Sequence, residues 1–318
     1  MLNTVSLFSG CGGLDLGLKK VGFNIIWAID NDKFAVKSYK HNVSKHIQNA
    51  DIVDIIPSDI PNHELLVAGF PCQPFSMMGK KRGFEDERGT LFFYIEKILM
   101  EKSPDIILLE NVRNLLTHDK GRTFKHMKNI LEEKLGYKIY HNILNSSDYE
   151  VPQTRNRVFI VGFKDHDIEF SFPKPRILKY TMQDLLDDDV DEKYFLSEKI
   201  LKTILSTGTK NFKANPEIDL KVARPLCATM HKMHRAFQDN YVTDKGRVRR
   251  LTPQECAKLQ GFPTMDFNPF GFEKNYEIVV SDTQAYRQFG NAVTVNTAIY
   301  LGEMIRNAVI PEKKRRAV

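Results

Sequence analysis

The chain is poor in cysteine, and its four cysteines, Cys11, Cys72, Cys227 and Cys256, are dispersed over 318 residues. None stands at CxxC spacing, which argues against a structural zinc site or a disulfide framework and favours a reducing cytoplasm. Long apolar runs are missing too. Nothing approaches the roughly 18 consecutive apolar residues that span a bilayer, and no basic leader precedes the first apolar residues, so a soluble, unexported protein is expected. There is no internal repeat and no low-complexity segment, which excludes a solenoid or fibrous architecture.

Charge is present but falls in blocks. The formal net charge is +6, and residues 221–250 alone hold eight Lys and Arg against two Asp, so the basic excess is local. Lys221, Arg224, Lys232, Arg235, Lys245, Arg247, Arg249 and Arg250 are interleaved there with His231, His234, Phe237 and Tyr241. That mixture suits phosphates and base edges, although a solvated basic surface has the same composition. Residues 184–192 are acidic and read as a solvated connector, and Lys313-Lys314-Arg315-Arg316 as a frayed tail.

The first half alternates short apolar runs with amphipathic stretches, the pattern of an α/β fold with a doubly wound, mostly parallel sheet. Strands are predicted at 4–8, 24–29, 65–68, 105–109 and 158–162, and helices at 14–20, 33–41, 90–101 and 121–135. From about residue 187 to about residue 250 the pattern loosens into a turn-rich region. Helical periodicity returns at 253–260, where Thr252 and Glu255 have capping-box spacing, and at 293–307, after Gly290-Asn291. The expected division is a catalytic domain at 1–186 plus 286–318 and a second, smaller domain with its hinge at 187–285.

Phe8-Ser9-Gly10-Cys11-Gly12-Gly13 follows the first strand and opens a helix, so its backbone amides can approach a ligand at the helix N-terminus. The spacing is not GxGxxG, which weakens a nicotinamide dinucleotide reading. Asp30 ends the second predicted strand, where acidic side chains accept ribose hydroxyls in nucleoside-binding folds, and Asp51 is placed to accept an adenine amino group. A solvated loop carboxylate is the alternative for either.

Cys72, in Gly69-Phe70-Pro71-Cys72-Gln73-Pro74, stands at the carboxyl edge of a predicted strand between two prolines. A lone cysteine is more often buried and inert; its neighbours argue otherwise here. Glu110-Asn111-Val112 ends another predicted strand, and Gln153, Arg155 and Arg157 alternate onto one face before the strand at 158–162. These arginines could pair with Glu110 or bind a base.

With these motifs in order, the chain resembles the bacterial DNA cytosine-5 methyltransferases that accompany restriction enzymes. The resemblance runs from Phe8–Gly13 through Asp30, Asp51, Pro71-Cys72-Gln73, Glu110-Asn111-Val112 and Gln153–Arg157. It continues through Arg250–Cys256, Leu259–Pro263 and Gln288–Val293, nearly the whole length. It implies a Rossmann-like catalytic domain that uses S-adenosyl-L-methionine, with a target-recognition domain. Double-stranded DNA is the implied substrate, and a flipped cytosine the implied target. Cys72 is the implied nucleophile at C6, Glu110 the partner of N3 and the exocyclic amine, Arg157 the contact to O2, and Arg155 a support of that pocket.

Phe8, Gly10, Gly12, Gly13, Asp30, Asn31, Asp51, Ile52, Pro71 and Asn291 are the implied cofactor residues; Asn31 departs from the family's usual bulky side chain over adenine. A lid between Ser76 and Thr90 is implied, with Ser76, Met78, Lys80, Lys81 and Arg82 as DNA contacts. His231, Lys232, His234, Arg235, Gln238 and Arg249 are further candidates for DNA contact. A monomer is expected, and a cognate restriction endonuclease acting separately is the implied companion. A transfer-RNA substrate and an inactive nucleic-acid binder stand as alternatives.

Overall fold

The computed structural model describes residues 1–71, 91–206, 208–209, 212–213, 216–235 and 237–316, with the backbone alone at 208–209, 212–213 and 310–316. The chain opens as alternating elements: β1 (Asn3–Leu7), α1 (Gly13–Lys20), β2 (Asn24–Asp30), α2 (Lys33–Asn42), a short β3 (Ile47–Asn49), β4 (Leu65–Gly69), α3 (Leu91–Lys102) and β5 (Ile106–Val112). α2 starts where Asp32 caps it, accepting hydrogen bonds from the Phe34 and Ala35 amides at 2.9 and 3.3 Å. β4 and the first four residues of β5, Ile106–Leu109, are apolar, because a central parallel strand is covered on both faces.

α4 (Arg122–Asn129) follows and widens into a π-helical turn, Ile130–Lys134, so the helix predicted at 121–135 is divided. β6 (Lys138–Asn145) and β7 (Asn156–Phe163) complete a seven-stranded sheet of order β3-β2-β1-β4-β5-β7-β6. The sheet is mostly parallel, as expected, but β7 runs antiparallel to both β5 and β6. β6 has no counterpart among the predicted strands. It is an edge strand, and Lys138, Tyr140, His141 and Asn142 hide its apolar period.

Alternate residues of each strand enter two cores on opposite faces. Leu65, Val67, Ile106 and Leu108 join the core that includes Leu18 of α1 and Tyr39 of α2. Leu66, Ala68, Ile107 and Leu109 join that of Ile95, Leu99 and Met127.

Beyond the sheet lie α5 (Glu198–Ile204), the two-stranded pairs β8 (Gly208–Thr209) with β9 (Phe212–Lys213) and β10 (Tyr241–Asp244) with β11 (Arg247–Arg250), and then α6 (Pro253–Lys258), α7 (Asp282–Asn291) and α8 (Val295–Arg316). The capping box at α6 forms as predicted. One element is additional and two expectations are corrected. Gly290-Asn291 ends a helix of its own, α7, where glycine is needed because a Cβ at Gly290 would collide with the backbone of Cys227 and Ala228. Asp187 is no solvated connector: it accepts from Lys258 Nζ at 2.9 Å and Thr252 Oγ1 at 2.6 Å, tying its segment to α6. The backbone of residues 313–316 is the end of α8 rather than a frayed tail.

Candidate active site

The carboxyl ends of β1, β2, β4 and β5 surround a cleft of about 640 Å³. On leaving β1 the chain turns through left-handed backbone at Phe8 (φ 56°), Gly10 (φ 55°) and Gly12 (φ 96°). For Phe8 that conformation costs on the order of 1–3 kcal/mol, which the packed surroundings must offset. Gly13 opens α1 so close to the end of α7 that a Cβ there would overlap the Val293 carbonyl.

Asp30 fixes this turn. Its Oδ2 accepts from the Gly10 amide and its Oδ1 from the Asp32 amide, each at 2.8 Å. Burial pushes its pKa up, against those two hydrogen bonds. Asn31 Nδ2 donates to Asp51 Oδ2 at 3.2 Å, and Asp51 caps the 3₁₀ turn Ile52–Asp54. Phe8, Gly10, Gly13, Asp30, Asn31, Asp51, Ile52, Pro71 and Asn291 all line the cleft. Gly12 is not among the lining residues; it serves as the N-cap of α1.

Three charged or amide-bearing cleft residues had no assigned role: Asp32, Arg287 and Gln288. Arg287 Nη1 lies 3.5 Å from Asp32 Oδ2. Gln288 is 6% exposed; its Oε1 accepts from Ser38 Oγ at 2.9 Å, and its Nε2 is buried without a partner among the described residues. The available signal was the position of Arg287 and Gln288 beside Phe289-Gly290-Asn291 and that of Asp32 beside Asp30.

At the other end of the cleft, Glu110 of β5 lies in register with Gly69 of β4, and Arg157 of β7 opposite Val112. Arg157 Nε stands 3.1 Å from Glu110 Oε1. Burial raises the Glu110 pKa, while the positive charges of Arg157 and Arg155 pull it back. Asn111 Nδ2 donates to the Phe70 carbonyl at 2.9 Å, holding the segment that leaves β4 against β5. Cys72 lies outside the described residues, as do Ser76, Met78, Lys80, Lys81 and Arg82.

Arg155 does not join Arg157. Only 1% exposed, it donates to the carbonyls of Leu226, Gly290 and Ala292 at 2.9–3.1 Å, behind the cleft. Gln153 is buried as well, bridging the Leu259 carbonyl and the Leu226 amide. The face-sharing expected of 153, 155 and 157 fails because β7 begins only at Asn156, and both earlier side chains turn inward.

A sequence model of the C-5 cytosine-specific DNA methylase family matches residues 2–307. The chain belongs to that family. This methylase is 37% identical to Type II methyltransferase M.NlaX of Neisseria lactamica over 323 residues, covering 99% of the chain and 100% of the relative. It is 42% identical to Type II methyltransferase M.HaeII of Haemophilus aegyptius, covering 92% and 89%. Its fold matches that of the solved S. pombe Dnmt2 methyltransferase with a TM-score of 0.77 at 21% identity, over 98% of this chain and 99% of that one. Its activity is that of a DNA (cytosine-5-)-methyltransferase.

In the methylase's basic region the candidate contacts divide. Arg249 is a correction: fully buried, it pairs with Glu255 and Asp244 at 2.8 Å each, so it cannot reach DNA. Arg235 is paired with Asp239 at 2.9 Å, and His234 packs beside Tyr241 and accepts from Arg250, both serving first to hold their segment. Burial, aided by the Arg250 charge, lowers the His234 pKa. Lys232 is exposed; His231 is half-buried, with Nδ1 unpartnered among the described residues; Gln238 donates to Cys227 Sγ at 3.3 Å. No described helix is long and apolar enough to cross a membrane.

Proposed function

We propose that this methylase modifies C5 of a cytosine flipped out of duplex DNA, through a covalent adduct between Cys72 and C6, as the modification component of a restriction-modification system. The observation that carries the reading is the Glu110–Arg157 pair, set at one end of the cleft whose other end holds the glycine turn, Asp30 and Asp51.

The residues at that other end fit S-adenosyl-L-methionine. Gly10 leaves room for close approach, Asp30 and Asp51 offer acceptors to ribose and adenine, and the orphan Gln288 Nε2 is a donor suited to a carboxylate. Phe8, Asn31, Ile52, Pro71 and Asn291 would enclose it. When bound, S-adenosyl-L-methionine supplies the electrophilic methyl that C5 takes up.

This chain's own residues prepare the base. The Cys72 thiolate adds to C6, pushing electron density through the ring toward C5 and N3. Glu110, kept protonated to higher pH by burial, donates to N3 and offsets that negative charge. Arg157 both orients Glu110 and binds O2. Loss of the C5 proton to a base then expels Cys72. Arg155 acts at a distance, positioning the segment that bears Gly290 and Ala292.

Residues 187–285 form the target-recognition module in this reading, with His231, Lys232, His234, Arg235 and Gln238 as its groove candidates. The loop bearing Ser76, Met78, Lys80, Lys81 and Arg82 closes over the base. The enzyme acts as a cytoplasmic monomer.

The test is base-resolution sequencing of unmethylated plasmid after incubation with purified protein and S-adenosyl-L-methionine. Methylcytosine at one short motif supports the reading; no modification despite measured cofactor binding, with RNA modified instead, would replace it.

A further inference from the structure

Val112 lines the cleft beside Glu110 and is 36% exposed, and the next residue, Arg113, is exposed. Two 3₁₀ turns follow, Arg113–Leu116 and His118–Gly121; the first packs on β7, the second on the first, and both on α4. Leu115 anchors them in the core. Residues 113–128 hold five Lys and Arg against one Asp.

The second turn is strained. Asp119 (φ 50°, ψ 47°), Lys120 (φ 57°, ψ 31°) and Gly121 (φ 83°) are successive left-handed residues. Aspartate and glycine tolerate that region; lysine has no local hydrogen bond to favour it. Hydrogen bonds lock the turn: His118 Nδ1 with Thr123 Oγ1 at 2.7 Å, and Arg122 Nε to the Asp119 carbonyl at 3.2 Å. Arg122 also pairs with the Asp119 carboxylate, and Lys128 with Glu132. The turn therefore holds Lys120 exposed in a conformation its own backbone disfavours, with Arg113 nearer the cleft and Lys125 one turn into α4.

We propose that this segment between β5 and α4 is a phosphate-binding rim of the DNA site, with Arg113 and Lys120 as its contacts. Arg113 opens the first turn, next to the cleft, and Lys120 stands seven residues on in the second, so the two cations are separate points along the segment. Separate cations strung in this way, leading from the mouth of the base pocket, suit a polyanion rather than a small anion. The rim adds to the contacts expected from residues 76–82 and 231–238, and it rests on the reading of duplex DNA as substrate.

The experiment is titration of a fluorescent duplex with intact protein across a range of salt concentrations, alongside calorimetry with S-adenosyl-L-homocysteine. Arg113→Ala and Lys120→Ala each reduce the slope of log affinity against log salt by about 0.9 and leave cofactor affinity unchanged. Lys120→Arg keeps the wild-type slope. Lys120→Gly gives the sharper split: glycine accepts the left-handed backbone, so the melting temperature rises while DNA affinity falls as in Lys120→Ala. Variants that melt at or above the wild-type temperature but keep the wild-type slope would overturn the rim. A wild-type protein that bound RNA but no duplex would instead overturn the substrate reading.

Discussion

Arg157 Nε lies 3.1 Å from Glu110 Oε1, whereas the guanidinium of Arg155, two residues earlier, ends on the carbonyls of Leu226, Gly290 and Ala292. One arginine is left to the cleft, and the two terminal nitrogens of the other are bound to the backbone behind it.

Substitution separates the two. Arg157→Ala is expected to lower kcat by on the order of 10²–10³, the loss typical of one donor to a developing charge, with cofactor affinity unchanged. Steady-state kinetics with saturating DNA check this. A loss confined to cofactor affinity would remove Arg157 from the base site.

Arg155→Met should act on folding first. It leaves three carbonyls without their donor, at about 1–3 kcal/mol for each that water cannot reach. Urea denaturation should show that loss, and catalytic activity should recover in part on cooling, as a positioning role requires.

Glu110→Gln keeps shape and a donor but removes the titration. Burial raises the Glu110 pKa, so its protonated form persists above the usual carboxylate range and is lost as pH rises further. Wild-type kcat at saturating substrates should therefore fall on the alkaline side, and the variant, slower by on the order of 10²–10⁴, should lack that limb. A pH–rate profile of both proteins decides.

Gln288→Leu should weaken cofactor binding by about tenfold, equivalent to about 1.4 kcal/mol, because it removes an orphan amide of the cleft wall while filling its volume. Calorimetry with S-adenosyl-L-homocysteine measures it, and unchanged affinity would show that Nε2 meets no ligand.

Asp15 offers a stability test away from the chemistry. Buried between Ser6 Oγ at 2.8 Å and Tyr39 Oη at 2.5 Å, its carboxyl is pushed up to about 6. A raised pKa means the folded protein holds this proton more tightly than the unfolded chain. The stabilisation is complete below the ordinary carboxylate pKa and lost as pH rises through about 6. About two units correspond to about 3 kcal/mol. The stability of Asp15→Asn relative to wild type should improve by up to that amount between pH 4 and pH 7, measured by urea midpoints.

What could be read from sequence was local. The glycine turn, Asp30 at a strand end, the strand running into Pro71 and the Thr252–Glu255 capping box each depend on a few neighbouring residues, and each has its expected local geometry. What escaped was set by distant partners. β6 is polar because it is an edge, and the direction of β7 follows from pairing with β5 fifty residues earlier. Arg249 looks like a DNA contact until Glu255 and Asp244 close around it. Arg155 and Arg157 alternate like a strand, yet only the second lies in one. Gln288 became notable only once its second polar atom was found unmatched.

Because β7 runs away from the cleft, the chain leaves it at Phe163, paired with Ile106 at the opposite end of β5 from Glu110. The polypeptide that follows is fed in from the remote side of the sheet and rejoins the catalytic wall through α7. Segments between these two points can lengthen, shorten or be exchanged while the pairing of Val112 with Arg157 stays in register. In the proposed reading, one chemical engine can thus be fitted with different addresses.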